Sequence, residues 1–208
     1  MNNVLSNIIS VDENKCVGCG ACLKACPLEE ANGIKIVDGK LVSTINPEKC
    51  LSCGACIKAC PKNARTYTDD LPEVIERMKK DKVVFIVDPS IKTAYPLQWK
   101  GILDWLKDQG CQLYDASFGC EIYSWALKNV FDSEKIHSII TPTCPAVINY
   151  IKTYQPALAK SIAPIYSPVG CMAIYIKKYI NSSAPVALLS TCLAKKKEFQ
   201  DEKLIKYC

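Results

Sequence analysis

The sequence predicts two unlike parts: a small α+β module over residues 1–70 and an α/β domain with a mainly parallel sheet over residues 71–208. Two observations support this division. Eight of the 14 cysteines fall in the first part, in two copies of one pattern. The second part alternates short apolar runs with segments of helical periodicity, which is typical of βαβ units.

An internal repeat organises the first part. Residues 15–27, KCVGCGACLKACP, recur as residues 49–61, KCLSCGACIKACP. Each copy reads C-x₂-C-x₂-C-x₃-C-P, the run by which bacterial ferredoxins bind [4Fe–4S] clusters, and in two-cluster proteins the fourth cysteine binds the other cluster. The sequence therefore predicts a ferredoxin-like module with two [4Fe–4S] clusters, one held by Cys16, Cys19, Cys22 and Cys60 and the other by Cys50, Cys53, Cys56 and Cys26.

Zinc and disulfides are the alternatives for these cysteines. Structural zinc sites use separated cysteine pairs around one ion, which a triplet at three-residue intervals fits poorly. Disulfide frameworks are typical of short secreted chains. This chain begins without a basic segment followed by an apolar stretch, so we expect no secretory signal and a cytoplasmic location. It also lacks the long apolar run that a membrane-spanning helix requires.

Smaller features of the repeat make local predictions. Two β-prone runs flank Asp38-Gly39, which indicates a hairpin with a type I′ turn. Gly20 and Gly54 follow the second cysteine of each copy, where a missing Cβ lets the backbone approach a cluster. The fourth cysteines, Cys26 and Cys60, are expected at the start of a helical turn.

The net charge does not indicate nucleic-acid binding. The formal value is +5, with 26 Lys and Arg against 21 Asp and Glu. A thiolate-bound [4Fe–4S] cluster carries about −2, so two clusters would bring the total to roughly +1. The basic run at residues 195–197 is interpreted as a solvated helix face.

The second part is predicted element by element. An acidic, proline-containing start at residues 69–73 indicates a helix through Met78 and places the domain boundary near residue 70. Strands are predicted at residues 82–89, 111–115, 135–140 and 185–190. Further helices are predicted at residues 101–110, 121–131, 145–154 and 167–180.

Cys144 and Cys192 each follow a predicted strand. Sites in parallel sheets gather beyond the carboxyl ends of the strands, so this placement suits a shared metal site. Buried free cysteine is also common, so the alternative is that Cys144 and Cys192 bind nothing. The second part would then be a docking platform for a redox partner. Cys111, Cys120 and Cys171 are interpreted as core residues, and His137 as a packed histidine within a strand.

Two segments of the second part carry longer motifs. Residues 141–151 read TPTCPAVINYI, and residues 190–198 read STCLAKKKE. They resemble the first and second signatures of the [FeFe]-hydrogenase large-subunit domain, Thr-Ser-Cys-Cys-Pro before a helix and Met-Pro-Cys-x-x-Lys-x-x-Glu. Ser167-Pro168 falls where that family has a Ser-Pro-led helix, and two ferredoxin-type clusters upstream are also its arrangement.

The resemblance implies a fold, a cofactor and site residues. The family's active site is a [4Fe–4S] cubane joined through a cysteine to a two-iron subcluster, and four cysteines serve it. Cys144 and Cys192 match the first two of these cysteines, so a third iron–sulfur cluster is implied there. Lys195 matches the lysine that pairs with the cyanide ligands of the two-iron unit. The upstream clusters would carry electrons to or from this site.

Three departures from the family pattern lower the expectation of catalysis. Thr143 stands where hydrogen-evolving members have a proton-donating cysteine, and a hydroxyl is a far weaker acid than a thiol with a pKa near 8.5. Ser190-Thr191 replaces Met-Pro, and Cys208 is reached before the third signature, which supplies the other two cysteines. We therefore expect a site that this chain alone does not complete, no catalytic residue, and a closer similarity to sensory members.

The sequence thus predicts an iron–sulfur protein for electron transfer or redox sensing. The alternative is a fragment of an [FeFe]-hydrogenase that interconverts H₂ with protons and electrons. The expected partners are a redox protein, such as a ferredoxin or an oxidoreductase, and a chain that supplies the third signature. Neither nucleic acid nor a membrane is an expected partner.

Overall fold

The computed structural model describes residues 8–133, 138–180, 183–199 and 204–208. The chain divides into two compact units, Met1–Thr68 and Asp69–Cys208, called here the first and second unit. Each unit encloses its own buried apolar clusters. Within the described ranges, no helix has the length and hydrophobicity that crossing a membrane requires.

From residue 8 onwards, the first unit forms two small antiparallel sheets and two short helices. Its elements are β1 (Ile9–Val11), α1 (Ala21–Lys24), β2 (Asn32–Val37), β3 (Lys40–Ile45), α2 (Ala55–Lys58) and β4 (Arg65–Tyr67), with a 3₁₀ turn at Glu29–Ala31. Strands β2 and β3 form the predicted hairpin, and Asp38 and Gly39 have φ values of 49° and 75°, as a type I′ turn requires. Strand β1 pairs with β4, which was not predicted because three residues are too few to show alternation.

Each repeat forms a short helix that carries its third cysteine. Cys22 lies in α1 and Cys56 lies in α2. The prediction that the fourth cysteine begins a helical turn is therefore wrong, because Cys26 and Cys60 follow the helix and its C-terminal cap. The physical reason is the proline after each fourth cysteine, which disfavours helical backbone at the residue before it.

The second unit is a mixed α/β structure with a parallel three-stranded sheet. Its elements are α3 (Leu71–Met78), β5 (Val84–Val87), α4 (Ser90–Ala94), α5 (Trp99–Asp108), β6 (Gln112–Asp115), α6 (Ser117–Ser133), α7 (Pro145–Tyr154), α8 (Pro168–Tyr175), β7 (Val186–Leu189) and α9 (Leu193–Phe199). The strand order is β6-β5-β7, and both pairings are parallel. The described sheet therefore has the predicted parallel arrangement.

Some elements differ from the prediction. Helix α6 begins at Ser117, and α8 continues as a π-helical turn over Ile176–Ile180. Residues 135–137 of the strand predicted at residues 135–140 lie outside the described residues, and His137 is one of them. Residues 138–140 are described and do not form a strand, so that part of the prediction is wrong. Ile140 forms an isolated parallel bridge with Ile162.

Both faces of the sheet are covered, which explains the uninterrupted apolar run in β5. Val84 and Ile86 point into a cluster with Met172 of α8. Phe85 alternates to the other face and packs with Leu106 of α5. All four residues of β5 are buried, so none of its positions could be polar without a partner.

Gly119 of α6 lies directly against α8. A Cβ built on Gly119 would lie 2.1 Å from the carbonyl oxygen of Pro168 and 3.0 Å from the Cβ of Met172. Because the obstacle is backbone, replacing Gly119 with alanine is expected to lower the free energy of unfolding by about 2 kcal/mol. Urea unfolding followed by tryptophan fluorescence measures this, since all 3 tryptophans lie in the second unit.

Gly101 provides the matched control. It lies in α5, and a Cβ there would meet no atom within 4 Å. Gly101→Ala is expected to raise the free energy of unfolding by about 0.5–1 kcal/mol, because alanine loses less conformational freedom in a helix. Changes of the same sign in both variants would contradict the assignment of Gly119 to a steric role.

Candidate metal centres

Four cysteines line one cavity of the first unit, called the first cavity. They are Cys16, Cys19, Cys22 and Cys60, and the cavity has about 370 Å³ of empty volume, part of it open to solvent. The other lining side chains are mainly apolar, among them Val17 and Ile34. The structure thus brings together the four residues that the repeat assigns to one cluster.

The other four repeat cysteines line the second cavity. They are Cys26, Cys50, Cys53 and Cys56, around about 300 Å³ of empty volume. Pro27 and Leu28 are among its apolar lining residues. In both repeats, therefore, the fourth cysteine lines the cavity of the other repeat.

Each set of four cysteine side chains lines a cavity whose other walls are mainly apolar. In a [4Fe–4S] cubane each of four thiolates binds a different iron, so the ligands stand around a core. Four cysteines around one cavity therefore suit an iron–sulfur cluster.

Positive φ angles bend the cysteine loops around the cavities. Gly20 and Gly54 precede α1 and α2 with φ values of 72° and 78°. No protein atom lies within 4 Å of a Cβ built on Gly20, so within the protein the positive φ is what favours glycine there. Gly18 adds a steric requirement, because its Cβ would lie 2.6 Å from the Cβ of Leu41.

Hydrogen bonds to sulfur favour thiolates in the first cavity. The N–H of Ser43 donates to Cys16 Sγ over 3.4 Å, and the N–H of Ala64 donates to Cys60 Sγ over 3.3 Å. Burial is the largest single influence on the pKa of Cys16 and raises it, but the bonds from Ser43 and other donors bring the pKa below its ordinary value. The pKa of Cys60 is lowered in the same way, chiefly by peptide N–H groups.

Arg65 is a charged residue beside these cysteines that sequence reasoning missed. Its side chain is buried, and its Nη2 donates to Cys22 Sγ over 3.2 Å and to the Thr44 carbonyl over 3.3 Å. Burial raises the pKa of Cys56 in the second cavity, while the charge of Arg65 opposes that rise. A lone arginine outside the repeat has no spacing signal, so only the structure connects it to the cysteines.

In the second unit, Lys195 forms an ion pair at the carboxyl edge of the sheet. Its Nζ lies 3.5 Å from Oδ2 of Asp88, and the two side chains are only 15% and 12% exposed. The Ser190 hydroxyl donates to the same oxygen over 3.0 Å, and the Ser90 N–H donates to Oδ1 over 2.9 Å. Burial raises the pKa of Asp88, but the bonds from Ser90, the charge of Lys195 and the bond from Ser190 bring it below 3.8.

The two motif cysteines lie at the starts of two helices that contact each other. Cys144 is exposed and precedes α7, whereas Cys192 is partly buried and precedes α9. The Cys192 N–H donates to the Ser190 hydroxyl oxygen over 3.2 Å. Among the described residues, neither cysteine belongs to a group of three or more His, Cys, Asp or Glu side chains that could hold a metal ion.

Segments of both motifs surround an open cavity in this unit. It has about 1260 Å³ of empty volume, including open solvent, and its lining includes Pro145, Asn149, Ser167 and Glu198. Cys144 and Cys192 are not among its lining residues in the described part of the chain.

The remaining cysteines divide between core and surface. Cys111 and Cys171 are buried as predicted, but Cys120 is exposed, so its assignment to the core is wrong. Cys120 lies in α6 between the buried Gly119 and the exposed Glu121, and periodicity did not reveal which face of this long helix is buried. Burial raises the pKa of Cys208 to about 12, so this thiol stays protonated.

Comparison with known proteins gives two matches. The model of a family described as iron only hydrogenase large subunit, C-terminal domain, matches residues 81–207. A model described as 4Fe-4S dicluster domain matches residues 8–61, a range that contains all eight cysteines of the two cavities. No curated protein matches the chain. The first match spans more than half of the 208 residues.

Proposed function

The chain belongs to the iron-only hydrogenase large-subunit family, and from that premise we propose that it moves electrons through two [4Fe–4S] clusters in its first unit. Iron–sulfur electron transfer follows from the two matched domains. The observation that best supports the number and the ligands of the clusters is the lining of the two cavities, in which each fourth cysteine joins the other repeat's triplet.

The residues around the cavities would stabilise such clusters. A bound [4Fe–4S] cluster supplies one-electron transfer at a potential set by nearby charge, hydrogen bonds to sulfur and exposure. The N–H groups of Ser43, Ser52 and Ala64 donate to cysteine sulfurs over 3.3–3.4 Å. The mainly apolar walls limit water around the sulfurs.

A redox partner protein, a ferredoxin or an oxidoreductase, is the proposed source or acceptor of the electrons, in electron transfer or in redox sensing. Val17 and Ile34 line the first cavity and are 52% and 46% exposed. A partner in contact with these side chains would be separated from the first cavity by a single layer of residues. Short separation favours fast electron transfer, which supports this surface as the point of exchange.

For the second unit, we propose Cys144 and Cys192 as two ligands of a third iron–sulfur cluster. Their place before two contacting helices supports this, as does the family to which the unit belongs. The other ligands would come from a partner segment that carries the third signature. Lys195 would bind the cofactor only if its ion pair with Asp88 broke and its ammonium group bound the cofactor instead.

The interconversion of H₂ with protons and electrons by this chain is the less favoured hypothesis. Thr143 stands at the position where the resemblance implies a proton-donating thiol. We therefore expect no H₂ evolution from the chain with a reduced dye as electron donor.

Anaerobic reconstitution with iron and sulfide tests the proposal. We expect about eight irons per chain and an EPR signal from reduced cubanes. Cys111→Ser, a change at a buried cysteine outside both cavities, should leave that number unchanged. About twelve irons, reduced to eight by Cys144→Ser, would support the third cluster. Four or fewer irons, or zinc in their place, would refute the two-cluster proposal.

A further inference from the structure

Arg65 is a buried cation without a carboxylate partner. It is 3% exposed, and no Asp or Glu of the described residues forms an ion pair with it. Its Nε and Nη1 are buried and make no hydrogen bond within the protein. A guanidinium stays protonated in proteins, and an uncompensated buried charge is strongly unfavourable. Negative charge must therefore be supplied beside it by something other than a carboxylate.

The groups beside Arg65 are cysteines of both cavities. Its Nη2 donates to Cys22 Sγ of the first cavity over 3.2 Å. Cys22 and Cys56 belong to the same buried cluster, so the two cysteine sets meet where Arg65 lies.

We propose that Arg65 is a positioning residue shared by both clusters: its buried charge raises the reduction potentials of both, and its N–H···S hydrogen bond to Cys22 fixes the guanidinium beside them. This inference rests on the two-cluster proposal. Reduction adds an electron to a cluster whose charge is already about −2, so a nearby cation stabilises the reduced form. Because Arg65 is excluded from water, its field is weakly screened and reaches both cavities.

Three substitutions separate charge from shape. Arg65→Met removes the charge and the donors, Arg65→Gln removes the charge but keeps an N–H donor, and Arg65→Lys keeps the charge. Lys62→Met is the control, because Lys62 also lines the first cavity but is exposed to solvent. Each reconstituted full-length protein is assayed for iron and titrated with EPR detection of both clusters.

We expect Arg65→Met and Arg65→Gln to lower both reduction potentials. At the wild-type midpoint, the ratio of reduced to oxidised cluster should fall at least tenfold, which corresponds to about 59 mV for one electron. Arg65→Lys and Lys62→Met should each change the ratio by less than threefold. If the neutral variants fail to hold eight irons while Arg65→Lys holds them, the requirement for charge is also supported.

Two results would overturn the inference. In the first, Arg65→Met or Arg65→Gln binds eight irons, and either both reduction potentials equal those of the wild type or only one of them shifts. The other is loss of iron in Arg65→Lys as well as in the neutral variants, since shape and not charge would then be decisive. Fewer than eight irons in the wild type would instead refute the two-cluster proposal itself.

Discussion

Cys16→Ser combined with Cys60→Ser is expected to leave about four irons per chain, whereas Cys50→Ser combined with Cys60→Ser is expected to leave almost none. The first pair removes two ligands of one cavity and leaves the other cavity intact. The second pair removes one ligand from each cavity. The two double variants differ only in which triplet loses its first cysteine, so they are closely matched.

Iron and sulfide analysis after anaerobic reconstitution measures the difference. Cys60→Ser combined with Cys111→Ser is the control, and it should hold about four irons because Cys111 lies outside both cavities. The reverse pattern, with four irons in the Cys50 and Cys60 double variant and none in the Cys16 and Cys60 double variant, would mean that each repeat holds its own cluster. The swapped ligand assignment would then be wrong.

Asp88→Asn is expected to lower the free energy of unfolding of the second unit by about 3 kcal/mol, because it leaves Lys195 charged, mostly buried and without its carboxylate. Urea unfolding followed by tryptophan fluorescence measures the loss. Asp104→Asn is the control, since Asp104 and Lys107 form a pair whose side chains are 68% and 61% exposed. That change should cost about 0.5 kcal/mol or less. Equal losses in the two variants would contradict a special role for the Asp88 pair.

The effect of Asp88→Asn should also depend on pH. The folded pKa of Asp88 lies below its ordinary value of 3.8, so ionised Asp88 stabilises the fold above that pH. The stabilisation is lost as the pH falls through the folded pKa, because the protonated carboxyl no longer compensates Lys195. The difference between wild type and variant should therefore be constant between about pH 7 and pH 5 and shrink below 3.8. A difference that grows on acidification would refute this role.

Cluster chemistry made the first unit predictable. A cluster of the proposed kind needs four thiolates at four corners of one small core, which restricts the spacing of Cys16 and its repeat partners and makes that spacing visible in the sequence. The hairpin was predictable for a similar local reason, since residues 38–39 determine its turn. The pairing of β1 with β4 was not, because it depends on contacts between residues such as Val11 and Arg65 that are far apart in the chain.

Polar groups at the sites were harder to predict than their cysteines. Asp88 was predicted only as part of the strand at residues 82–89, yet it forms the ion pair with Lys195. Arg65 was missed because its proposed role depends on its position beside two sets of cysteines, and only the fold brings these sets together. Cys144 and Cys192 were selected by their position after strands and by family resemblance, neither of which determines their distance or the other ligands.

The lining of the first cavity also bears on the order of events during synthesis. Its cysteines extend from Cys16 to Cys60, so three of them leave the ribosome well before the fourth. Until the second repeat emerges, Cys16, Cys19 and Cys22 remain free thiols that other metal ions or oxidants can reach. On the proposed ligand assignment, cofactor insertion therefore follows translation of the whole unit, when all the ligands of both cavities are present.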